Sequence, residues 1–134
     1  MNLDHAQAKT LTQEIAQVLG DLQHNQRVMV FPPSIHLNTV AAIASVAKGL
    51  EVGAQNMHQA ASGAYTGEIS AAMLKSCDIH TVLLGHSERR EYFHEDSALL
   101  CQKVDAALEN SLEVIFCFGE QKVAESQTTP TTLF

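Results

Sequence analysis

Apolar positions along the chain recur at two spacings, and the changes between them mark the elements. In residues 4–22, Ala8, Leu11, Ile15, Val18, Leu19 and Leu22 recur at helical spacing and predict one apolar stripe. Asp4, just ahead of the stripe, is a candidate N-cap. Residues 27–31 form an apolar run halted by Pro32 and Pro33, the mark of a short buried strand. Ser34 is placed to cap a second helix over residues 35–47, closed by Gly49. Residues 50–56 predict a second strand ending in the amides Gln55 and Asn56, and a glycine-bearing loop over residues 62–68 follows. Ser70 is placed to cap a short helix over residues 71–76. Thr81-Val82-Leu83-Leu84 predicts a third strand ending at Gly85, and a charged helical turn comes after it. A helix over residues 97–110 and a fourth strand over residues 114–119 complete the pattern. Residues 121–134, rich in Thr and Gln and holding Pro130, carry no clear apolar stripe and are expected to be a divergent tail, frayed or partly helical, beyond a unit of residues 1–120.

Strict alternation of strand and helix implies right-handed crossovers and a parallel α/β sheet of about four strands. The strands lack a polar alternation, so both of their faces are expected to be covered. Polar side chains collect just after strand ends: Asn56 after the second, His86 after the third, Glu120 after the fourth. Parallel folds place their sites at that carboxyl edge.

Composition narrows the class. Of 134 residues 46% are hydrophobic, which supports a packed chain. A formal net charge of -7, without a Lys/Arg-rich block, argues against nucleic acid as a partner. No apolar run reaches the roughly 18 residues of a membrane span, and the first residues lack the basic start and apolar core of a signal peptide. Cys77, Cys101 and Cys117 are odd in number and have no CxxC spacing, as expected of core thiols in a reducing cytoplasm. The seven histidines show no metal-ligand spacing and read as dispersed surface residues, so no metal is expected.

Gly85-His86-Ser87-Glu88-Arg89-Arg90 is the segment with the most chemistry. His86 follows a buried strand and a glycine and precedes a helical turn. The positive end of a helix dipole disfavours an imidazolium, and a neutral ring can donate a hydrogen bond to a carbonyl. From position alone a satisfied, partly buried histidine is the commoner reading. Glu88 reads either as an anchor for a cationic group or as a first-turn acid that suits the dipole. Arg89 and Arg90 read as anion or subunit contacts, or as partners of Glu91 and Glu95. Gln55 and Asn56 are expected to support a site from behind, and Cys117 to be a small core residue rather than a nucleophile. Glu120 reads equally as catalytic or as a loop anchor. The glycines of residues 63–68 are not in a phosphate-loop register, so that loop reads as an interaction loop.

Four motifs in order, Gly53-Ala54-Gln55-Asn56, then GAYTGEIS at residues 63–70, then Leu84 with GHSERR at residues 85–90, then Cys117-Phe118-Gly119-Glu120, resemble the triosephosphate isomerase family. The resemblance runs to about Glu120 and implies part of a (β/α)8 barrel without metal or cofactor. It implies a cytoplasmic enzyme of glycolysis and gluconeogenesis that interconverts dihydroxyacetone phosphate and D-glyceraldehyde 3-phosphate. By the match His86 is the electrophile that polarises the substrate carbonyl, and Glu88 supports the active-site lysine. A neutral histidine in this role is the family's own well-known case, so it is no separate derivation. Tyr65, Thr66 and Arg89 resemble residues of the family's homodimer interface.

The resemblance finds no counterpart here for the family's Gly-Asn-Trp-Lys, its glutamate base, its lid or its phosphate loop. The chain is therefore expected to be an incomplete barrel with the main substrate-binding groups outside it, and inactive alone. An alternative from another class is a non-catalytic association module that pairs with a full-length subunit or a complementary fragment. A flavodoxin-like order explains the alternation but not GHSERR.

Overall fold

The computed structural model describes residues 2–20 and 22–119. The first helix, α1 (His5–Val18), starts where the Asp4 side chain accepts a hydrogen bond from the Gln7 amide and Gln7 Oε1 accepts one from the Asp4 amide. Strand β1 (Val28–Val30) leads through the two prolines into a 3-10 turn, Ser34–His36, and then α2 (Leu37–Ala44). Strand β2 (Leu50–Val52), α3 (Ala71–Ser76), β3 (Thr81–Leu84), α4 (Ser87–Tyr92), α5 (Ser97–Glu109) and β4 (Glu113–Phe116) follow. The expected alternation is present and every strand pair is parallel.

Several boundaries differ from expectation, α1 ending at Val18 and β4 spanning Glu113–Phe116 among them, and two differ for clear local reasons. Ser34 caps nothing, because the chain leaves Pro33 in a 3-10 turn and α2 begins after His36. Strand β2 is shorter than residues 50–56, and its continuation meets β3 only through a parallel bridge between Ala54 and Val82. That bridge joins the β1-β2 pair to the β3-β4 pair: Ala54 donates to Thr81 O at 2.9 Å, and Leu83 donates to Ala54 O at 2.8 Å. The four strands thus form one curled array without closure among the described residues, an incomplete α/β barrel.

The curl has a visible fastening. Strands lie about 4.8 Å apart, so β1 and β4 of a flat array would be separated by roughly 14 Å. Arg27, just before β1, nevertheless bonds Glu51 of β2 at 2.6 Å and Glu113 of β4 at 2.7 Å. Thr81 Oγ1 also donates to Glu113. The Arg27 guanidinium, with help from Thr81, holds the Glu113 carboxyl down to about 2 and lowers Glu51 as well. Both carboxylates favour the folded state above their ordinary values near 4.5, and that contribution fades as pH falls towards about 2. These side chains are about half exposed, so solvent screens the effect.

The core lies on the outer face of the strands. Val82 and Leu84 are buried there against Leu74 and Ile79 from α3 and its exit, and against Ala107 and Leu112 around α5. Only β3 is almost wholly buried, whereas β4 leaves Ile115 and Phe116 exposed, which corrects the expectation that both faces of each strand are covered.

Helix α1 is a second correction, since Leu11 and Val18 of its stripe are exposed and Ala8 and Thr12 are buried. It packs mainly on α2, and its apolar side lines a cavity of about 250 Å³ beside β1 rather than a filled core. Thr12 tolerates burial because its hydroxyl donates to Ala8 O at 2.7 Å.

His36 departs from the surface reading of the histidines: it is buried, with Nε2 3.2 Å from Leu3 O. Cys101 is exposed and Cys77 and Cys117 are half-buried, so none is a fully buried core thiol. The reading of residues 121–134, and that of Glu120, lie outside the described residues.

Candidate functional site

Strand β3 gives way to Gly85, whose φ of 78° turns the chain out of the ladder and towards α4. His86 is the N-cap of that helix. Its carbonyl accepts from the Arg89 and Arg90 amides at 3.0 and 3.1 Å, and its ring Nδ1 accepts from the Glu88 amide at 3.3 Å. An accepting Nδ1 places the ring proton on Nε2. Glu88 Oε2 lies 3.8 Å from the same Nδ1, but an ion pair there needs a proton on Nδ1 and excludes the backbone bond. The shorter contact, fixed by the helix turn, is the one that defines the ring. The His86 side chain is 46% exposed, and the Glu88 carboxylate points into solvent.

His86 opens onto a cleft of about 820 Å³ at the carboxyl edge of the strands, lined also by Gln55, Asn56, Leu83, Glu88 and Arg89. The two amides support this edge as the sequence suggested. Gln55 Nε2 donates to Phe31 O at 2.8 Å, tying the ends of β1 and β2. Asn56 Oδ1 accepts from Lys103 Nζ at 2.8 Å.

Behind the cleft lies an ionic network that sequence reasoning only half anticipated. Glu95 Oε1 accepts from Arg89 Nε at 2.7 Å and from Lys103 Nζ at 2.6 Å. The side chains of Glu95 and Lys103 are 2% and 4% exposed. Burial works to raise the Glu95 carboxyl, and the hydrogen bonds from Lys103 and Arg89 overcome it, so the group sits below its ordinary value. Arg89 also lies over the Phe93 ring, with Cζ 4.4 Å from its centroid. Pairing of Arg89 with Glu95 follows the sequence expectation, and Lys103 was missed. Its signal was present: Leu100, Lys103 and Ala107 share one face of α5, so a lysine stands inside a buried stripe.

Arg90 does not pair with a carboxylate as anticipated. It donates from Nε to Gly85 O at 2.7 Å and from Nη2 to Cys117 O at 3.0 Å. Tyr65 and Thr66 are exposed on their loop, and the Tyr65 ring packs tilted against the His58 ring with centroids 4.1 Å apart. No cluster of three metal-ligating side chains occurs among the described residues, and no helix there is long and apolar enough to cross a membrane.

Comparison with known proteins agrees with the segment that forms this edge. The family model described as triosephosphate isomerase matches residues 1–133. A triosephosphate isomerase of Flavobacterium psychrophilum is 46% identical over 121 residues, covering 90% of this chain and 48% of the relative. That of Flavobacterium johnsoniae is 47% identical over 122 residues, again 90% of this chain and 48% of the relative. That of Xylella fastidiosa is 45% identical over 116 residues, 87% of this chain and 45% of the relative. The chain spans about half the length of the curated relatives it matches. On the family match, the parallel α/β order and the ordered motifs, the chain belongs to the triosephosphate isomerase family.

Proposed function

We propose that this chain carries the electrophilic part of a site that interconverts dihydroxyacetone phosphate and D-glyceraldehyde 3-phosphate. The observation that supports it most is the His86 ring: Nδ1 accepts from the Glu88 amide, so Nε2 is left as a donor at the edge of the cleft. A donor aimed at a substrate carbonyl oxygen stabilises the negative charge that develops there when a neighbouring C–H proton is removed. The proton then returns to the adjacent carbon, and aldose and ketose exchange. Glu88 has the supporting role, and no metal or cofactor enters the step. The setting is the cytoplasm, in glycolysis and gluconeogenesis. The described residues up to 119 carry the partial barrel. Tyr65, Thr66 and Arg89 lie at a homodimer contact.

The family's lysine, glutamate base and phosphate loop correspond to no residue of this sequence, and the base alone is worth a factor of roughly 10² to 10⁴. These 134 residues are therefore expected to show no turnover by themselves. Co-expression with the remaining half of the Flavobacterium johnsoniae relative should restore turnover, and His86→Gln should lower it by roughly 10² to 10³. Turnover indifferent to His86→Gln in that pair would reject the electrophile. His86-dependent turnover by the chain alone would reject the claim of inactivity.

A second reading, a non-catalytic association module, is favoured by Ile115, Phe116 and Phe118, which are 38%, 43% and 90% exposed along and beyond β4. Apolar side chains next to an open strand edge suit a complementary fragment or a full-length subunit. Co-expression with an intact isomerase should then give co-elution on size-exclusion chromatography, and separate peaks would reject it.

A further inference from the structure

We propose that Arg90 is a positioning residue for His86, holding the peptide that carries the ring so that Nδ1 stays in line with the Glu88 amide. The inference rests on the isomerase reading only for its catalytic consequence; the positioning itself stands on geometry.

Three contacts from one residue converge on this peptide. The side chain takes Gly85 O through Nε at 2.7 Å, and the Arg90 amide takes His86 O at 3.1 Å. Both carbonyls flanking the His86 amide-to-carbonyl unit are thus gripped by the same residue. The third contact, from Nη2 to Cys117 O at 3.0 Å, fastens the unit to the end of β4. The last ladder bond between the strands, from the Cys117 amide to Leu84 O at 2.8 Å, lies directly beneath. The Phe116 ring, 5.6 Å from Arg90 Cζ, closes over the guanidinium.

This arrangement follows from the turn. With Gly85 at φ 78°, its carbonyl leaves the strand ladder and needs another donor. A planar fork serves two carbonyls on two strands at once, which a lysine ammonium on a flexible stem does not reproduce. The ring needs such support because its own bond is long. At 3.3 Å the Glu88 amide to Nδ1 contact is beyond the usual length for a strong hydrogen bond. A half-exposed ring held by one weak bond keeps a single orientation only if the backbone on both sides is fixed.

The test uses the full 134-residue chain with nitrogen-15 labelling and long-range proton–nitrogen NMR of the imidazoles. In the unmodified chain His86 should show an acceptor-type Nδ1 and a protonated Nε2. Arg90→Gln should lower the ratio of that tautomer to the other by about fivefold, the worth of one lost hydrogen bond, and Arg90→Lys should recover only part. Arg27→Gln, which loosens the opposite end of the strands, should leave the ratio unchanged. An unchanged ratio in folded Arg90→Gln, or an equal change in Arg27→Gln, overturns the proposal. Should both Arg90 variants fail to fold, the unmodified chain still decides: a through-bond coupling from Arg90 Nε–H to the Gly85 carbonyl carbon supports the clamp, and its absence overturns it. Failure of the isomerase reading is separate, since it appears as His86-independent turnover of the reconstituted pair whatever the tautomer does.

Discussion

Lys103→Met is expected to destabilise the chain by roughly 3–5 kcal/mol, the usual cost of removing one partner from a buried ion pair. Removing the ammonium strips Glu95 Oε1 of its 2.6 Å donor and Asn56 Oδ1 of its 2.8 Å donor. Arg89 remains, but it also bonds Oε1, and Glu95 Oε2 is buried without a protein partner. Urea melts at pH 7 should show a lower midpoint with an unchanged slope. The double variant Lys103→Met, Glu95→Gln should recover part of the loss, because the uncompensated charge is gone. If instead the two single costs simply add, the residues do not act as one network.

The same pair predicts a pH dependence with a definite sign. The Glu95 carboxyl lies below its ordinary value, so its stabilising contribution is present above the unfolded value and disappears as pH falls through the folded one. Stability of the unmodified chain should therefore fall on the acid side of the ordinary value near 4.5. The Lys103→Met chain should lose much of that slope, since only Arg89 is then left to favour the ionised Glu95.

The outer face of this fold was legible in the sequence because burial there follows spacing. Thr81-Val82-Leu83-Leu84 gave β3 to the residue, and Ser70 gave the start of α3 with its side chain accepting from the Met73 amide. The place of His86 at the start of the turn after β3 was legible too, since a glycine after a buried strand and before a charged turn leaves few places for the next residue. Spacing is blind to what crosses between elements. Arg27, Glu51 and Glu113 look like three solvated charges, and only the curl of the strands brings them together. Glu95 and Arg89 were readable as neighbours in sequence, whereas Lys103 and Asn56 meet across 47 positions. The apolar stripe of α1 misled for a related reason: Leu11 and Val18 have the right period but face a side of the helix with little packed against it.

Gly85→Ala is expected to cost roughly 2–4 kcal/mol, from a left-handed backbone worth about 1–2 kcal/mol and a loosened clamp of similar size. At φ 78° an L side chain is strained whatever room it has. Here it has none: a Cβ would lie 2.8 Å from Arg90 Nη2 and 3.0 Å from Cys117 O. The guanidinium can swing aside, but only by releasing its two carbonyls, and the Cys117 oxygen moves only if the end of β4 moves. Gly67→Ala separates the two contributions. Gly67 has φ 91° with nothing within 4 Å of the position a methyl would take, so it suffers the backbone strain alone, about 1–2 kcal/mol. The excess of Gly85→Ala over Gly67→Ala in urea melts then measures the close approach, and amide shifts in the folded variant should concentrate at His86, Arg90 and Cys117. If Gly85→Ala is no more costly than Gly67→Ala, the glycine serves only the turn, and the tight junction between the ends of β3 and β4 does not depend on its missing side chain.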